Sequence, residues 1–265
     1  MSNLFGIPPL HMLGIYPNGT STASLEAKCT GKNKKNWFDY ITKYVTTTDG
    51  AGDLFGVVET GLEYLKKLPL KLKRIEHIDR VQNVANVAGS SLVFSDIISG
   101  INKVRKLAFE QTPKAMKAFF IDGFYLIGDI AKGAGFMHEN KLVNLGKTAP
   151  VANGVYNVGY LFANSLGVVE KRKGIKENKI VMAHSRSELE KNYLSQKNNL
   201  KMLKIVQKIS SIALSIIGLG ALFVGYNLTG AGAIPSVVLT FSTVYLILHI
   251  TNYFYGKIIT DRLKP

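Results

Sequence analysis

The sequence predicts an all-α integral membrane protein: a C-terminal two-helix transmembrane hairpin behind a helical, partly amphipathic region in the cytosol or on the membrane surface. Three observations predict it. From Ile209 to Gly256 there is no Asp, Glu, Lys or Arg. That stretch divides around Thr229-Gly230-Ala231-Gly232-Ala233 into two apolar runs. Each run is close to the roughly 20 residues that a helix rising about 1.5 Å per residue needs to cross hydrocarbon. Upstream, apolar residues recur at helical spacing.

Residues 1–36 form a polar arm, expected to be flexible, that ends in Lys28, Lys32, Lys34 and Lys35. An amphipathic helical region at 37–110 follows. Its first segment, WFDYITKYVTTTDG, reads as a short aromatic helix ending at Asp49-Gly50. The next helix carries Leu54, Val58, Leu65, Leu68 and Leu72 on one face and is interrupted at Pro69. Lys66, Lys67, Lys71, Lys73 and Arg74 crowd together and are expected to meet lipid headgroups. Ile78, Val81, Ala85, Ala88 and Leu92 then fall on one helical face, with Asn86 and Ser90 among the residues opposite. Such a shallow Val/Ala face suits a wedge in a headgroup layer, or a surface helix packed on a bundle.

Residues 111–170 read as an apolar helical pair, interfacial or packed. Asp122 and Asp129 lie seven apart in the first member, as the polar face of a half-buried helix rather than a catalytic pair. Asn153, Asn157 and Asn164 stripe the second, which makes it a poor lone span and a good partner for another helix. A basic connector and helix occupy 171–208, the helix starting near Ser185–Ser187. The hairpin covers 209–256 and a basic tail 257–265.

Lys201, Lys204 and Lys208 precede the hairpin, and Lys257, Arg262 and Lys264 follow it, so both termini are expected in the cytosol. Tyr226, Tyr253, Phe254 and Tyr255 are expected at membrane interfaces. Ser211, Ser215, Gly218 and Ala221 form a small-residue stripe for helix packing, within the hairpin or between copies of a homo-oligomer.

Composition narrows function. Lys and Arg number 33 against 18 Asp and Glu, a formal net charge of +15. Beside a bilayer, such a chain meets anionic lipids before nucleic acid, and no zinc finger or RNA-binding signature occurs. The single cysteine, Cys29, excludes an internal disulfide. The first 15 residues lack the basic start of a secretory signal. His11, His77, His138, His184 and His249 have no metal-ligand spacing, and Lys141 stands where a phosphate loop ending at Gly146-Lys147-Thr148 needs glycine. No catalytic residue, cofactor or metal is therefore expected, and the protein reads as a non-enzyme with membrane lipids as partners.

The order of segments resembles the peroxin eleven family of peroxisomal and glycosomal membrane proteins. The resemblance rests on Trp37-Phe38-x-x-Ile41, Thr48-Asp49-Gly50, Glu63-Tyr64-Leu65, the Arg74–Leu92 helix, Phe124 through Asp129 to Gly133, and the basic tail. It implies organelle elongation by an inserted amphipathic helix, in a peroxisome or glycosome membrane. The hairpin alone also resembles inclusion membrane proteins of intracellular bacteria, which implies an adaptor for host proteins. A small channel or transporter is the third expectation. It requires the Asp122/Asp129 and Asn153/Asn157/Asn164 segments to span and line a cavity.

Overall fold

The computed structural model describes residues 37–67, 75–110, 112–224 and 233–263. The N-terminal arm, Pro69, Lys71, Lys73, Arg74, Tyr226, the turn at 229–232 and Lys264 lie outside the described residues. Among those described, every regular element is helical.

The first two helices are α1 (Trp37–Val45) and α2 (Thr48–Lys67). The Thr48-Asp49-Gly50 signature is the first turn of α2 and not the end of α1. Thr47 caps that turn by accepting the Gly50 N–H at 3.0 Å. Only glycine fits at position 50, because a β-carbon there would collide with the Tyr44 carbonyl. Two further helices, α3 (Ile75–Ser91) and α4 (Val93–Phe109), meet at Leu92, whose backbone stays right-handed helical (φ −64°, ψ −18°). Together they give an apolar run, Ile78–Phe109, of 32 residues.

Thr112 caps α5 (Pro113–Glu139) by accepting the Ala115 N–H at 3.1 Å, with Pro113 in the first turn where no N–H is needed. After a short loop come α6 (Ala149–His184) and α7 (Glu188–Val224). The basic connector expected after residue 170 is instead the last third of α6. Its Lys, Glu and Ile are good helix formers, and Lys173 and Glu177 sit 3.9 Å apart one turn on. The chain closes with α8 (Ala233–Ile258) and a π-helical turn, Ile259–Leu263.

Three helical stretches are long and apolar enough to cross a membrane: Ile78–Phe109, Glu188–Leu222 and Ser236–Asp261. The first was read from the sequence as a surface wedge. Between Arg80 and Lys103, however, the sole charge is Asp96. The amphipathic window ending at Leu92 hid the longer run.

Burial is inverted relative to a water-soluble protein. Many buried positions are small or polar, Ala85, Ala131, Ala163, Asp53, Asn164 and Ser215 among them, beside a few larger ones such as Val93 and Ile205. Large apolar side chains point outward, including Ile98, Ile216 and Ile247 at 63%, 55% and 58% exposure. Water would penalise such faces at about 25 cal/mol per Å², whereas lipid does not, and small residues let membrane helices approach closely.

The helices form a ring. α4 packs on α5, α5 on α6, α6 on α7, α7 on α8, and α8 returns to α2, which pairs with α3. Contacts at two levels fix α6 and α7 as antiparallel: Gly154 lies beside Leu222, and Gly174 beside Lys201. Between α5 and α6 the backbones touch. A β-carbon on Gly159 would lie 2.7 Å from the Phe124 carbonyl oxygen and 3.1 Å from the Gly128 nitrogen.

Candidate functional site

The helices line a half-open cavity of about 640 Å³. Each wall is the polar stripe of one helix. On α2 it is Asp49, Asp53, Gly56 and Glu59; on α3 and α4, Asn86, Ser90, Val93, Asp96, Ser99 and Lys103; on α5, Asp122, Tyr125, Asp129 and Lys132. Tyr160 comes from α6, and Tyr245 with His249 one turn apart from α8. Spacings of three and four put each set on one helical face, so folding that turns the apolar faces outward brings the polar ones together.

Six of the 18 acidic residues in the chain, Asp49, Asp53, Glu59, Asp96, Asp122 and Asp129, face this one space, against two lysines, Lys103 and Lys132. Within the described residues Glu59, Asp96 and Asp122 receive neither a side-chain hydrogen bond nor an ion pair. Asp53 and Asp129 are buried, each 8% exposed. The Tyr160 hydroxyl donates to Asp129 Oδ1 at 2.6 Å. No described donor reaches Asp129 Oδ2.

Asp53 joins three helices. It accepts from the Tyr44 hydroxyl of α1 and lies 2.8 Å from His249 Nδ1 of α8. Burial and the adjoining Asp53 carboxylate hold the Tyr44 phenol well above its usual range, so it stays a donor. The Tyr44 ring packs on Tyr253 and Phe254, with centroids 4.3 and 5.4 Å away. Tyr255 is buried and donates to Gln196. These aromatics, expected at a membrane interface, dock α1 and α7 on the end of α8, where the Tyr44 and Tyr255 hydroxyls pair with Asp53 and Gln196.

A second network stands behind the cavity wall. Lys208 Nζ donates to the Tyr125 hydroxyl at 2.7 Å, and Tyr125 donates to Asn164 Oδ1 at 2.6 Å. Asn164 Nδ2 in turn reaches Ser211 Oγ at 2.8 Å. Asn164 is 3% exposed and ties α5, α6 and α7 together.

The other predicted positions are distributed as follows. Asp122 and Asp129 line the cavity, whereas Asn157 and Asn164 face α7, Asn157 against Gly218. Ser211, Ser215 and Gly218 therefore pack on α6 rather than on α8, and Ala221 is half-buried on the same helix. Lys201 and Lys208 fill the room left by Gly174 and Gly167. Lys66, expected at lipid headgroups, pairs with Asp79 at 2.5 Å. The five wedge residues do not share one exposed face. Val81 is 51% exposed and Ala85 5%, Ile78, Ala88 and Leu92 are half-buried, and Ala85 and Leu92 line the cavity. The outward stripe of α3 is Val81, Val84 and Val87.

Sequence reasoning missed Asp53, Asp96, Tyr160, Tyr245 and His249. The signal was present: Asn86 and Ser90, taken as a solvent face, begin a polar stripe that continues through Asp96 to Lys103. Comparison with protein-family models, curated proteins and solved structures finds no match for the chain.

Proposed function

We propose that this protein is a membrane-embedded helical bundle that takes a positively charged solute into its central cavity and passes it across the bilayer. One observation carries the reading: a chain of net charge +15 gathers a third of its acidic residues around one internal space. Unpaired ionisable groups are costly in a membrane and are kept where they serve a pathway or a ligand.

In this reading α2, the α3–α4 pair, α5, α6, α7 and α8 all cross, with α7 and α8 as a hairpin. Six crossings leave both ends of the chain on one side. Cations concentrate there: Lys103, Arg105, Lys106, Lys114 and Lys117 at the α4–α5 corner, the 171–179 stretch of α6, and Lys257. That side is cytosolic by Lys/Arg excess, and the compartment is an intracellular membrane. Lys66 and Lys67 at the end of α2 and Lys141 and Lys147 in the α5–α6 loop are exceptions at the opposite end, and there Lys66 is already paired with Asp79.

The test is solute entry into proteoliposomes of neutral lipid holding the full chain, with an inside-negative potential. Small organic cations should enter at least about tenfold faster than into protein-free vesicles, with anions excluded. Equal entry with and without protein contradicts the reading. A second reading, membrane elongation of the peroxin eleven type by α3, is favoured by its exposed Val81, Val84 and Val87. Electron microscopy of the same vesicles separates the two: tubules without solute entry support elongation.

A further inference from the structure

We infer that the solute is an organic cation bearing two or more separated ammonium or guanidinium groups, an inference that rests on the transport reading above. The carboxylates do not converge. Asp53 and Glu59 stand on α2, Asp96 on α4, and Asp122 and Asp129 on α5. No group of three or more His, Cys, Asp or Glu among the described residues could hold a metal ion. A metal needs its ligands about 2–2.6 Å from one point; charges spread over three walls instead match a ligand whose own charges are spread.

Size agrees. A cavity of about 640 Å³ falls in the range of small-molecule sites, ~300–1,000 Å³, and far exceeds the ~30 Å³ of a single water. The wall also carries Tyr125, Tyr160 and Tyr245, and the faces of such rings attract ammonium groups within about 6 Å. Asp129 on this wall is 8% exposed, and its carboxylate accepts from the Tyr160 hydroxyl through Oδ1, with no described donor on Oδ2. Lys103 and Lys132 offset two of the six negative charges and leave the walls acidic. A single compact cation would leave most of these carboxylates unanswered. An anion would be repelled by them.

The experiment uses the full chain in neutral-lipid proteoliposomes, with Cys29→Ser and a reporter, Ser99→Cys, on the cavity wall. The reporter is labelled with a small membrane-impermeant methanethiosulfonate in the presence of 1,5-diaminopentane, spermidine, choline or glucose. Diaminopentane and spermidine should halve the labelling rate at concentrations at least about tenfold lower than choline requires, and glucose should not protect. Asp96→Asn with Asp129→Asn should remove that tenfold advantage while the reporter still labels, and Ile98→Cys placed in the same double variant should stay silent, which shows that the bundle has folded. A labelled reporter protected equally by choline and the diamines, or by none of them, overturns the polycation assignment and leaves the water-filled cavity standing. A reporter that does not label at all overturns the transport reading itself, and the assignment with it.

Discussion

Asn164 holds three helices through one carboxamide: it accepts from Tyr125 and donates to Ser211, and Lys208 lies 3.4 Å from its oxygen. Replacing it with leucine keeps the volume and removes the partner of the Tyr125 hydroxyl proton and of Ser211, while Lys208 keeps Tyr125. An unsatisfied buried polar group costs about 1–3 kcal/mol, and membrane hydrogen bonds sit at the low end of that range. Asn164→Leu should therefore lower the melting temperature of the detergent-solubilised protein by several degrees; an unchanged melting curve removes the network from the account. At this scale the sequence was partly readable. Three Asn at helical spacing are unfit for lipid, and that alone assigned α6 a partner helix. Which partner depended on Tyr125 and Ser211, some 40 residues away in each direction, and no local pattern carries such a pairing. The same limit hid Asp53, whose neighbours Tyr44 and His249 come from α1 and α8.

The α5–α6 contact is decided by missing side chains. The atoms that a β-carbon on Gly159 would strike are backbone atoms, which cannot swing aside. Overfilling a packed interface costs ~1–3 kcal/mol, and Gly159→Val should reach the upper end and lower the yield of folded protein. Gly61 is the control, because a β-carbon there meets nothing within 4 Å. Gly61→Ala should be neutral or slightly stabilising, by up to about 1 kcal/mol of helix propensity. Equal effects at the two sites, read by thermal denaturation, would refute the close packing. Helix type was legible throughout, since uncharged runs and 3.6-residue periodicity are local. Extent was less so. The wedge helix proved to be the first half of a longer apolar run because the polar stripe beyond Leu92 keeps its phase across the joint, and the supposed connector stayed helical because 171–184 holds no proline and its one glycine, Gly174, is packed against Lys201 of α7.

For the whole molecule, the inversion of burial and the acidic interior follow from one arrangement. Each helix has an apolar face and a polar stripe, and closing the ring through α8 and α2 turns the stripes of α2, α3, α4, α5 and α8 toward the cavity, while the Asn157 and Asn164 stripe of α6 pairs with α7. Ring closure was not readable from the sequence. It rests on contacts between segments nearly 200 residues apart, such as Asp53 with His249 and Gly56 with Leu246. Six of the 18 acidic residues are thereby gathered on one cavity, which in the proposed reading makes it attractive to a positive solute. Low-dielectric walls strengthen that attraction relative to water.

The most direct measurement compares two adjacent residues of α4. Ile98 points outward, 63% exposed, and Ser99 lines the cavity. In a Cys29→Ser background, single variants Ile98→Cys and Ser99→Cys are placed in lipid bilayers and treated with a membrane-impermeant thiol reagent. The account predicts that Ser99→Cys reacts, while Ile98→Cys stays silent in lipid and reacts only after detergent unfolding. Reaction at Ile98→Cys in the bilayer, or silence at Ser99→Cys, would contradict a water-filled cavity inside a lipid-facing bundle.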